Sequence, residues 1–325
     1  MKYHIIAYIS IFQIIVIVGL VLYVFNKSQN KSYSLQKVQG EVHSSESGDL
    51  KFFFEPLANA VQKDDLSWMG KNYNYSVAYT INSDTLNQTG EIEVVKPKNT
   101  FRIITLGTSY TFGSFVNTGE NFSSNLEQIL NSTCPNEYRY EVINLGVAGY
   151  DINYSVNRFL TRGEKYDADV LIWFFTEPDF LRFTDMLLPI VNSILQEKHI
   201  SSEKEQKIEN GVYYPIWKEA NKKVIIKLGG EKALQKQRKY IKELLSNYRN
   251  PVVFAGQQLR DKYKNLLQSI VVNNQPKVYF DNDIINFYDT KYELPDHHPN
   301  REGHKIIAQD LFKYLSENEL IPCKL

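Results

Sequence analysis

Cysteine is nearly absent from the sequence, and so is any excess of charge. Cys134 and Cys323 are the only two cysteines, which is too few for a disulfide framework or for a cysteine-based metal site. One bridge and two free thiols are equally compatible with them. Lysine plus arginine number 37, and aspartate plus glutamate also number 37. No net field therefore attracts nucleic acid or another polyanion, and we expect no nucleic-acid partner.

One long hydrophobic run stands near the start of the chain. Ile5 to Phe25 carries no charged side chain, and at about 1.5 Å per residue a helix over it would span roughly the 30 Å of a bilayer's hydrocarbon core. The polar stretch Asn26 to Lys31 follows without a small-x-small cleavage site. The sequence therefore predicts a retained signal anchor over residues 1–27, with a cleaved signal peptide as the alternative. By analogy with signal anchors, we expect a single-pass membrane protein whose main domain is extracytoplasmic, although lysines on both sides of the run leave the orientation open.

Two further segments separate this run from the main domain. Residues 28–50 are polar and have almost no apolar periodicity, which is typical of a flexible linker. Within residues 51–98, Tyr73 to Ile81 and Glu91 to Val95 have the pattern of short strands between Asn, Asp and Gly turns. We predict that residues 51–98 form a small β-rich prelude.

From residue 99 to residue 325, strand patterns alternate with helix patterns. Residues 192–250 are more polar and helical, which suggests an insertion over the sheet. The alternation predicts an α/β domain with a three-layer, doubly wound, flavodoxin-like parallel sheet and with active residues at the carboxyl ends of its strands. The predicted strands are Phe101–Leu106, Tyr140–Leu145, Val170–Phe175, Pro251–Ala255 and Lys277–Phe280. The predicted helices are Glu120–Asn131, Asp151–Thr161, Glu231–Tyr248, Gln257–Val271 and Arg301–Asn318.

Ser109 is the first candidate for chemistry. It stands at the carboxyl end of the first predicted strand, in the turn between Gly107 and Gly113. A helix that begins there would direct free N–H groups and the positive end of its dipole at a developing negative charge. Ser109 is therefore a candidate nucleophile. The alternative is an ordinary turn serine whose hydroxyl caps the helix.

A second candidate is the histidine-rich loop after Pro295. A serine nucleophile needs an imidazole to accept its proton, and that imidazole needs a carboxylate to fix its tautomer. Asp296 and His298, two residues apart between two prolines, have the required side chains. The alternatives are a metal site built from Asp296, His297, His298 and His304, or a solvated loop.

These segments together resemble the SGNH/GDSL hydrolase family over residues 99–318. Ile103 to Gly113 matches the family's first block, except that Thr108 stands in the place of its aspartate. Val142 to Tyr150 matches the second block, and the resemblance implies that the Gly149 N–H is an oxyanion donor. Asp296 and His298 match the last block.

The third block departs from the family's pattern. The family has Gly-x-Asn-Asp after an apolar strand, and Pro178 stands here in the asparagine place, followed by Asp179. Proline has neither a side-chain amide nor a backbone N–H, so it cannot supply that oxyanion donor. The first and third blocks are therefore degenerate, and Thr108 and Asp179 are predicted to link them by a hydrogen bond.

The resemblance implies a serine esterase without a metal or organic cofactor. Ser109 would be the nucleophile, His298 the base and Asp296 the residue that orients it, with the N–H groups of Ser109 and Gly149 as the oxyanion hole. The substrate would be an acyl or acetyl ester of a glycan or lipid. The alternatives are an O-acyltransferase that modifies cell-envelope or exported polysaccharide, and an inactive binding or scaffold protein of the same fold. His297 and His304 are expected to be structural or to line the pocket.

Overall fold

The computed structural model describes residues 44–46, 50, 53–134, 137–197, 213–257, 259–274, 277–281 and 291–323. The predicted signal anchor lies outside these ranges and stays a prediction. Among the helices that the described residues form, none is long and apolar enough to cross a membrane. The strands are β1 (Ser44–Glu46), β2 (Phe54–Pro56), β3 (Ala60–Asp65), β4 (Ser76–Ile81), β5 (Thr100–Leu106), β6 (Arg139–Asn144), β7 (Val170–Thr176), β8 (Val252–Gln257) and β9 (Val278–Asp281).

A five-stranded parallel sheet carries the main domain. Its strands lie in the order β6-β5-β7-β8-β9, and every neighbouring pair is parallel. Counted along the chain this is the order 2-1-3-4-5, so the predicted flavodoxin-like, doubly wound topology is confirmed. In this topology the strand order reverses between β5 and β7. Ligands of such sheets bind outside the carboxyl ends of the strands at that switch point.

Helices cover both faces of the sheet. The α-helices are α1 (Ser109–Phe112), α2 (Phe122–Thr133), α3 (Ile152–Arg158), α4 (Glu177–Leu181), α5 (Thr184–Glu197), α6 (Tyr213–Leu228), α7 (Gly230–Asn247), α8 (Asp261–Val272) and α9 (Arg301–Glu317). Single turns of 3₁₀-helix occur at Ser67–Met69, Lys71–Tyr73, Thr118–Glu120 and Glu164–Tyr166, and a π-helical turn follows α3 at Phe159–Gly163. Asp151 and Asn300 cap α3 and α9, because their side chains accept hydrogen bonds from the amides of Tyr154 and Gly303.

The three layers follow from the alternation of side chains along each strand. Leu171 and Phe254 point to the face covered by α3, α7 and α8, whereas Ile172 and Val253 point to the face covered by α2 and α9. Because helices bury both faces, the central strands read as continuous apolar runs. In the predicted insertion, α7 belongs to the layer that covers the sheet, while α6 and the preceding α5 pack mainly around an apolar cluster of their own.

The prelude is a β-hairpin with a long approach to β5. β3 and β4 pair antiparallel from Ala60 with Ile81 to Asp65 with Ser76. The predicted strand over Glu91–Val95 is wrong, since these residues form no strand. The Arg102 guanidinium donates to the backbone carbonyls of Glu93 and Val94, at 2.6 and 3.0 Å, so a buried side chain takes the place of a neighbouring strand.

The two cysteines form a disulfide, so the alternative of two free thiols is wrong. Cys134, at the end of α2, is bonded to Cys323, which follows α9. Both sulfurs lie in the apolar cluster beneath the sheet. The bridge therefore ties the last described residues of the chain to the layer formed by α2 and α9.

Candidate active site

The turn after β5 places Ser109 at the switch point of the sheet. β5 ends at Leu106, and the short helix α1 begins at Ser109 and is capped at its end by Gly113, which has a left-handed φ of 86°. Thr108 occupies the position before the helix, but its hydroxyl does not cap it. It donates instead to the Asp179 carboxylate, 3.0 Å away. The hydrogen bond predicted between the first and third blocks is thus present.

A tight turn presents Asp296 and His298 on one side of their loop. The Leu294 amide donates to the His298 carbonyl at 2.8 Å, and the His297 amide donates to the Leu294 carbonyl at 2.9 Å. His297 adopts a left-handed φ of 70°. Its side chain is 78% exposed and pairs with Glu293, so it points away from its two neighbours.

The structure brings Ser109, His298 and Asp296 together in one chain of hydrogen bonds. His298 Nε2 lies 2.8 Å from Ser109 Oγ, and His298 Nδ1 lies 2.8 Å from Asp296 Oδ2. The other Asp296 oxygen accepts from the His298 amide at 3.2 Å. Burial raises the pKa of Asp296, but the charge and hydrogen bonds of His298 outweigh it, and the pKa lies below its ordinary value. Asp296 is therefore a carboxylate at neutral pH and fixes the proton of the imidazole on Nδ1.

Two aromatic rings hold the imidazole, and sequence reasoning missed both. The rings of Tyr110 and Phe115 have centroids 5.1 and 5.0 Å from that of His298. The Tyr110 hydroxyl also donates to the His297 carbonyl at 2.5 Å. Tyr110 directly follows Ser109, so one side chain links the nucleophile turn to the loop that carries His298. Its position next to Ser109 is the only sequence signal that points to this role.

The second block comes close to the nucleophile turn. A Cβ on Gly146 would lie 2.2 Å from the amide nitrogen of Phe112, so only glycine allows this approach. Gly149 follows in a left-handed conformation with a φ of 82°. In the part of the chain that the structure describes, the amides of Ser109 and Gly149 donate to no backbone carbonyl.

The third block forms the first turn of α4, and a capping box stabilises this turn. The turn includes the position at which the family has its asparagine. Thr176 and Asp179 exchange reciprocal hydrogen bonds at the start of α4, and the Thr176 amide lies 2.7 Å from the Asp179 carboxylate. Pro178 is exposed inside this first turn. Burial raises the pKa of Asp179 to about 6, although its hydrogen bonds oppose the rise. Asp179 thus holds the first and third blocks together, and Pro178 supplies no donor.

The side chains proposed for the alternative metal site do not converge on one point. His304 lies in α9, wholly buried, where its Nδ1 accepts a hydrogen bond from the Phe122 amide at 3.2 Å. Burial, with a smaller effect of His298, lowers the pKa of His304 to about 3, so this imidazole is a neutral core group. His297 faces solvent. Among the described residues, no three histidine, cysteine, aspartate or glutamate side chains are grouped to hold a metal ion.

Comparisons with known proteins concern the fold. No protein-family model matches the sequence, and no curated protein matches it either. Solved structures similar to this chain include a lipolytic protein described as belonging to the G-D-S-L family, from Desulfitobacterium hafniense DCB-2, with 15% identity and a TM-score of 0.39 over 68% of this chain and 99% of that one. A psychrotrophic esterase from Pseudoalteromonas sp. has 11% identity and a TM-score of 0.41 over 68% and 98% of the two chains.

An acetylxylan esterase from Geobacillus stearothermophilus, solved as a catalytic mutant, has 15% identity and a TM-score of 0.41 over 68% of this chain and 95% of that one. One of these three structures is described as a lipolytic protein of the G-D-S-L family, and the other two are described as esterases. At these identities and at TM-scores of 0.39 to 0.41, the likeness assigns no function to the site.

Proposed function

We propose that the protein is a serine hydrolase that cleaves carboxylic esters. One observation carries this proposal: the continuous chain from Asp296 through His298 to Ser109, with 2.8 Å at each side-chain contact. The chain ends on a hydroxyl at the switch point of a doubly wound sheet, where such folds bind their ligands. A structural hydrogen-bond network has no need of an oriented imidazole in contact with a serine at that place.

The reaction follows from the positions of the protons. His298 Nε2 takes the proton of Ser109 as its Oγ attacks the ester carbonyl carbon, and the carbonyl oxygen becomes an oxyanion. The imidazolium then gives that proton to the leaving alkoxide, and the Ser109 acyl ester remains. Water, deprotonated by the same imidazole, attacks this acyl ester and releases the acid and the free serine. Asp296 keeps Nδ1 protonated and stabilises the imidazolium in both halves of the reaction.

The oxyanion hole has two donors in this proposal. The amides of Ser109 and Gly149 would hold the oxyanion, and Pro178 offers no third hydrogen bond. Loss of one such donor typically costs about 3 kcal/mol of transition-state stabilisation. We therefore expect an esterase that is slow compared with relatives that carry the asparagine.

The first experiment replaces the nucleophile. Ser109→Ala should lower kcat on 4-nitrophenyl acetate by at least about a thousandfold without a change in thermal stability, because only the attacking oxygen is removed. Ser132→Ala, an exposed serine on α2, is the matched control and should retain the wild-type rate. An unchanged rate in Ser109→Ala would exclude Ser109 as the nucleophile.

Pro178 also favours a second candidate, a binding or scaffold protein that keeps the fold without catalysis. A fluorophosphonate probe separates the two, since it labels a serine only when a base activates it. Labelling of the wild type that disappears in His298→Ala supports the hydrolase. Absence of labelling in the wild type supports the scaffold.

We also propose that the domain acts outside the cytoplasm on an ester of a glycan or lipid. The Cys134–Cys323 bond supports this location, since disulfides persist mainly in oxidising compartments. The hydrophobic run from Ile5 to Phe25 supports attachment to a membrane. Alkylation of the protein denatured directly from cells, with and without prior reduction, tests this location, because two sulfurs that react only after reduction were bonded in the cell, whereas two that react without it would contradict an oxidising compartment.

A further inference from the structure

Two aromatic side chains extend the candidate site away from the triad. Phe115 packs edge-on against the His298 imidazole, with centroids 5.0 Å apart and planes at 86°. Trp68 packs in turn against Phe115, with centroids 5.7 Å apart and planes at 68°. We call Trp68 and Phe115 the aromatic ledge. It begins at the imidazole and ends on a ring that is 41% exposed.

Trp68 differs from the other two tryptophans of the chain. Trp173 is buried in the sheet at 1% exposure, and Trp217 is partly buried against the apolar cluster of α5 and α6. Exposed indole surface next to a site gains free energy when a ligand covers it. Ligand sites are typically lined by aromatic rings with a few polar groups placed among them. Trp68 is thus the tryptophan available to a ligand.

Phe115 is held in place at a conformational cost. Its φ of 70° is left-handed, which is rare for a bulky side chain and is often found at functional sites. The Phe115 amide donates to the Tyr79 hydroxyl at 2.7 Å, and that hydroxyl donates to the Asp64 carboxylate at 2.9 Å. Asp64 and Tyr79 belong to β3 and β4. The prelude hairpin therefore supplies Trp68 and also fixes the ring that joins Trp68 to the imidazole.

We propose that the aromatic ledge binds a sugar ring next to the ester, so that the substrate is an acylated glycan. This inference rests on the proposed hydrolase function. One face of a pyranose ring presents C–H groups, which pack on an indole, while its hydroxyls at the rim stay hydrated. The ledge fits that shape, because Trp68 is an open surface and its neighbours Ser67 and Asp65 are exposed polar residues. A fatty acyl chain gains most when apolar groups enclose it, and a ring exposed to water at 41% does not enclose it.

Hydrolysis of two kinds of ester tests the ledge. The specificity ratio is kcat/KM on monoacetylated disaccharides of glucose, xylose and N-acetylglucosamine, divided by kcat/KM on 4-nitrophenyl acetate. We expect Trp68→Ala to lower this ratio about tenfold, mainly through KM, and Trp68→Phe to lower it less. Tyr75→Ala removes a ring of the same hairpin that is 48% exposed, and it should leave the ratio unchanged. A ratio that Trp68→Ala does not change would overturn the proposal, as would an equal loss on 4-nitrophenyl decanoate, which would make the occupant an acyl chain.

A binding measurement separates this proposal from the hydrolase function. In Ser109→Ala, which cannot turn over, unacylated tetrasaccharides of glucose, xylose and N-acetylglucosamine should quench tryptophan fluorescence. The quenching should be absent in Ser109→Ala/Trp68→Ala. Quenching in a protein without Ser109-dependent hydrolysis would remove the proposed reaction and keep the ledge. Hydrolysis without any quenching would keep the reaction and overturn the ledge.

Discussion

The carboxylates of Glu55 and Asp296 both bind basic side chains, but the consequences differ. Glu55, at 1% exposure, accepts from the guanidinium groups of Arg158 and Arg162, and both of its oxygens are engaged. Asp296, at 22% exposure, holds His298, and that chain ends on the hydroxyl of Ser109. We call the Glu55 cluster closed, because protein groups enclose its carboxylate and Arg158, although Arg162 is 33% exposed. We call the Asp296 cluster open, because its chain of hydrogen bonds ends on the Ser109 hydroxyl, which a bound ligand could meet. A cluster of this kind can take part in a reaction.

The partners of the two carboxylates differ in whether their charge is permanent. Burial raises the pKa of Glu55, but the two arginines outweigh it and bring the value to about 2. Arginine keeps its charge at every pH that the protein meets, so this cluster fixes the prelude against the main domain. The imidazole of histidine can both accept a proton and donate one. The cluster around Asp296 can therefore transfer a proton, whereas the one around Glu55 cannot.

The largest effect should come from loss of the charge in the open cluster. Asp296→Asn keeps the shape of the side chain, but it can hold His298 in the wrong tautomer, and the same change in serine proteases lowers kcat about 10⁴-fold. We expect a loss of that order on 4-nitrophenyl acetate, with a melting temperature close to that of the wild type. Asp261→Asn, an exposed aspartate in the first turn of α8, is the control. A loss below tenfold would mean that Asp296 does not orient the base.

Loss of the charge in the closed cluster should affect stability instead. Glu55→Gln leaves two buried or half-buried arginines without their carboxylate, and the free energy of unfolding should fall by about 3–5 kcal/mol in urea denaturation at pH 7. Because the folded pKa of Glu55 is depressed from 4.5 to about 2, its stabilisation is complete above about pH 4.5 and is lost as the pH falls towards 2. The gap between wild type and variant should therefore narrow over that range. A gap that is constant from pH 7 to pH 3 would contradict this account.

The two clusters also differ in how far the sequence predicts them. Ser109 and the Asp296–His298 pair stand in short local patterns, and a strand that ends at Leu106 has to deliver Ser109 to the edge of the sheet. The doubly wound class of the sheet was predictable for a similar reason, because the alternation of apolar runs and amphipathic segments is local. Glu55 lies 103 residues from Arg158, and no local pattern joins them. Glu91–Val95 has the pattern of a strand on its own, yet the Arg102 guanidinium donates to the carbonyls of Glu93 and Val94. Phe115 likewise gives no sign in the sequence of its left-handed backbone.

Pro178 is the place to improve the open cluster. Pro178→Asn would restore the side-chain amide that the family resemblance predicts at this position, and it should raise kcat/KM on 4-nitrophenyl acetate up to about a hundredfold. Pro178→Ala restores the backbone N–H alone and is the matched control. The helix start should survive both changes, since Thr176 and Asp179 form its capping box. Equal rates in the two variants would mean that the asparagine amide does not reach the oxyanion.

The smallest effect should come from the hydrogen bond that holds the loop of His298 in place. The Tyr110 hydroxyl donates to the His297 carbonyl, and burial raises the pKa of Tyr110, so that it stays protonated. Tyr110→Phe keeps the ring against His298 and removes only this hydrogen bond, worth about 1 kcal/mol. We expect kcat and the rate of fluorophosphonate labelling to fall together by about five- to tenfold, with KM unchanged. Tyr75→Phe, an exposed tyrosine in the prelude, is the control. A lower melting temperature with unchanged labelling would instead make the hydroxyl a purely structural group, like the carboxylate of Glu55.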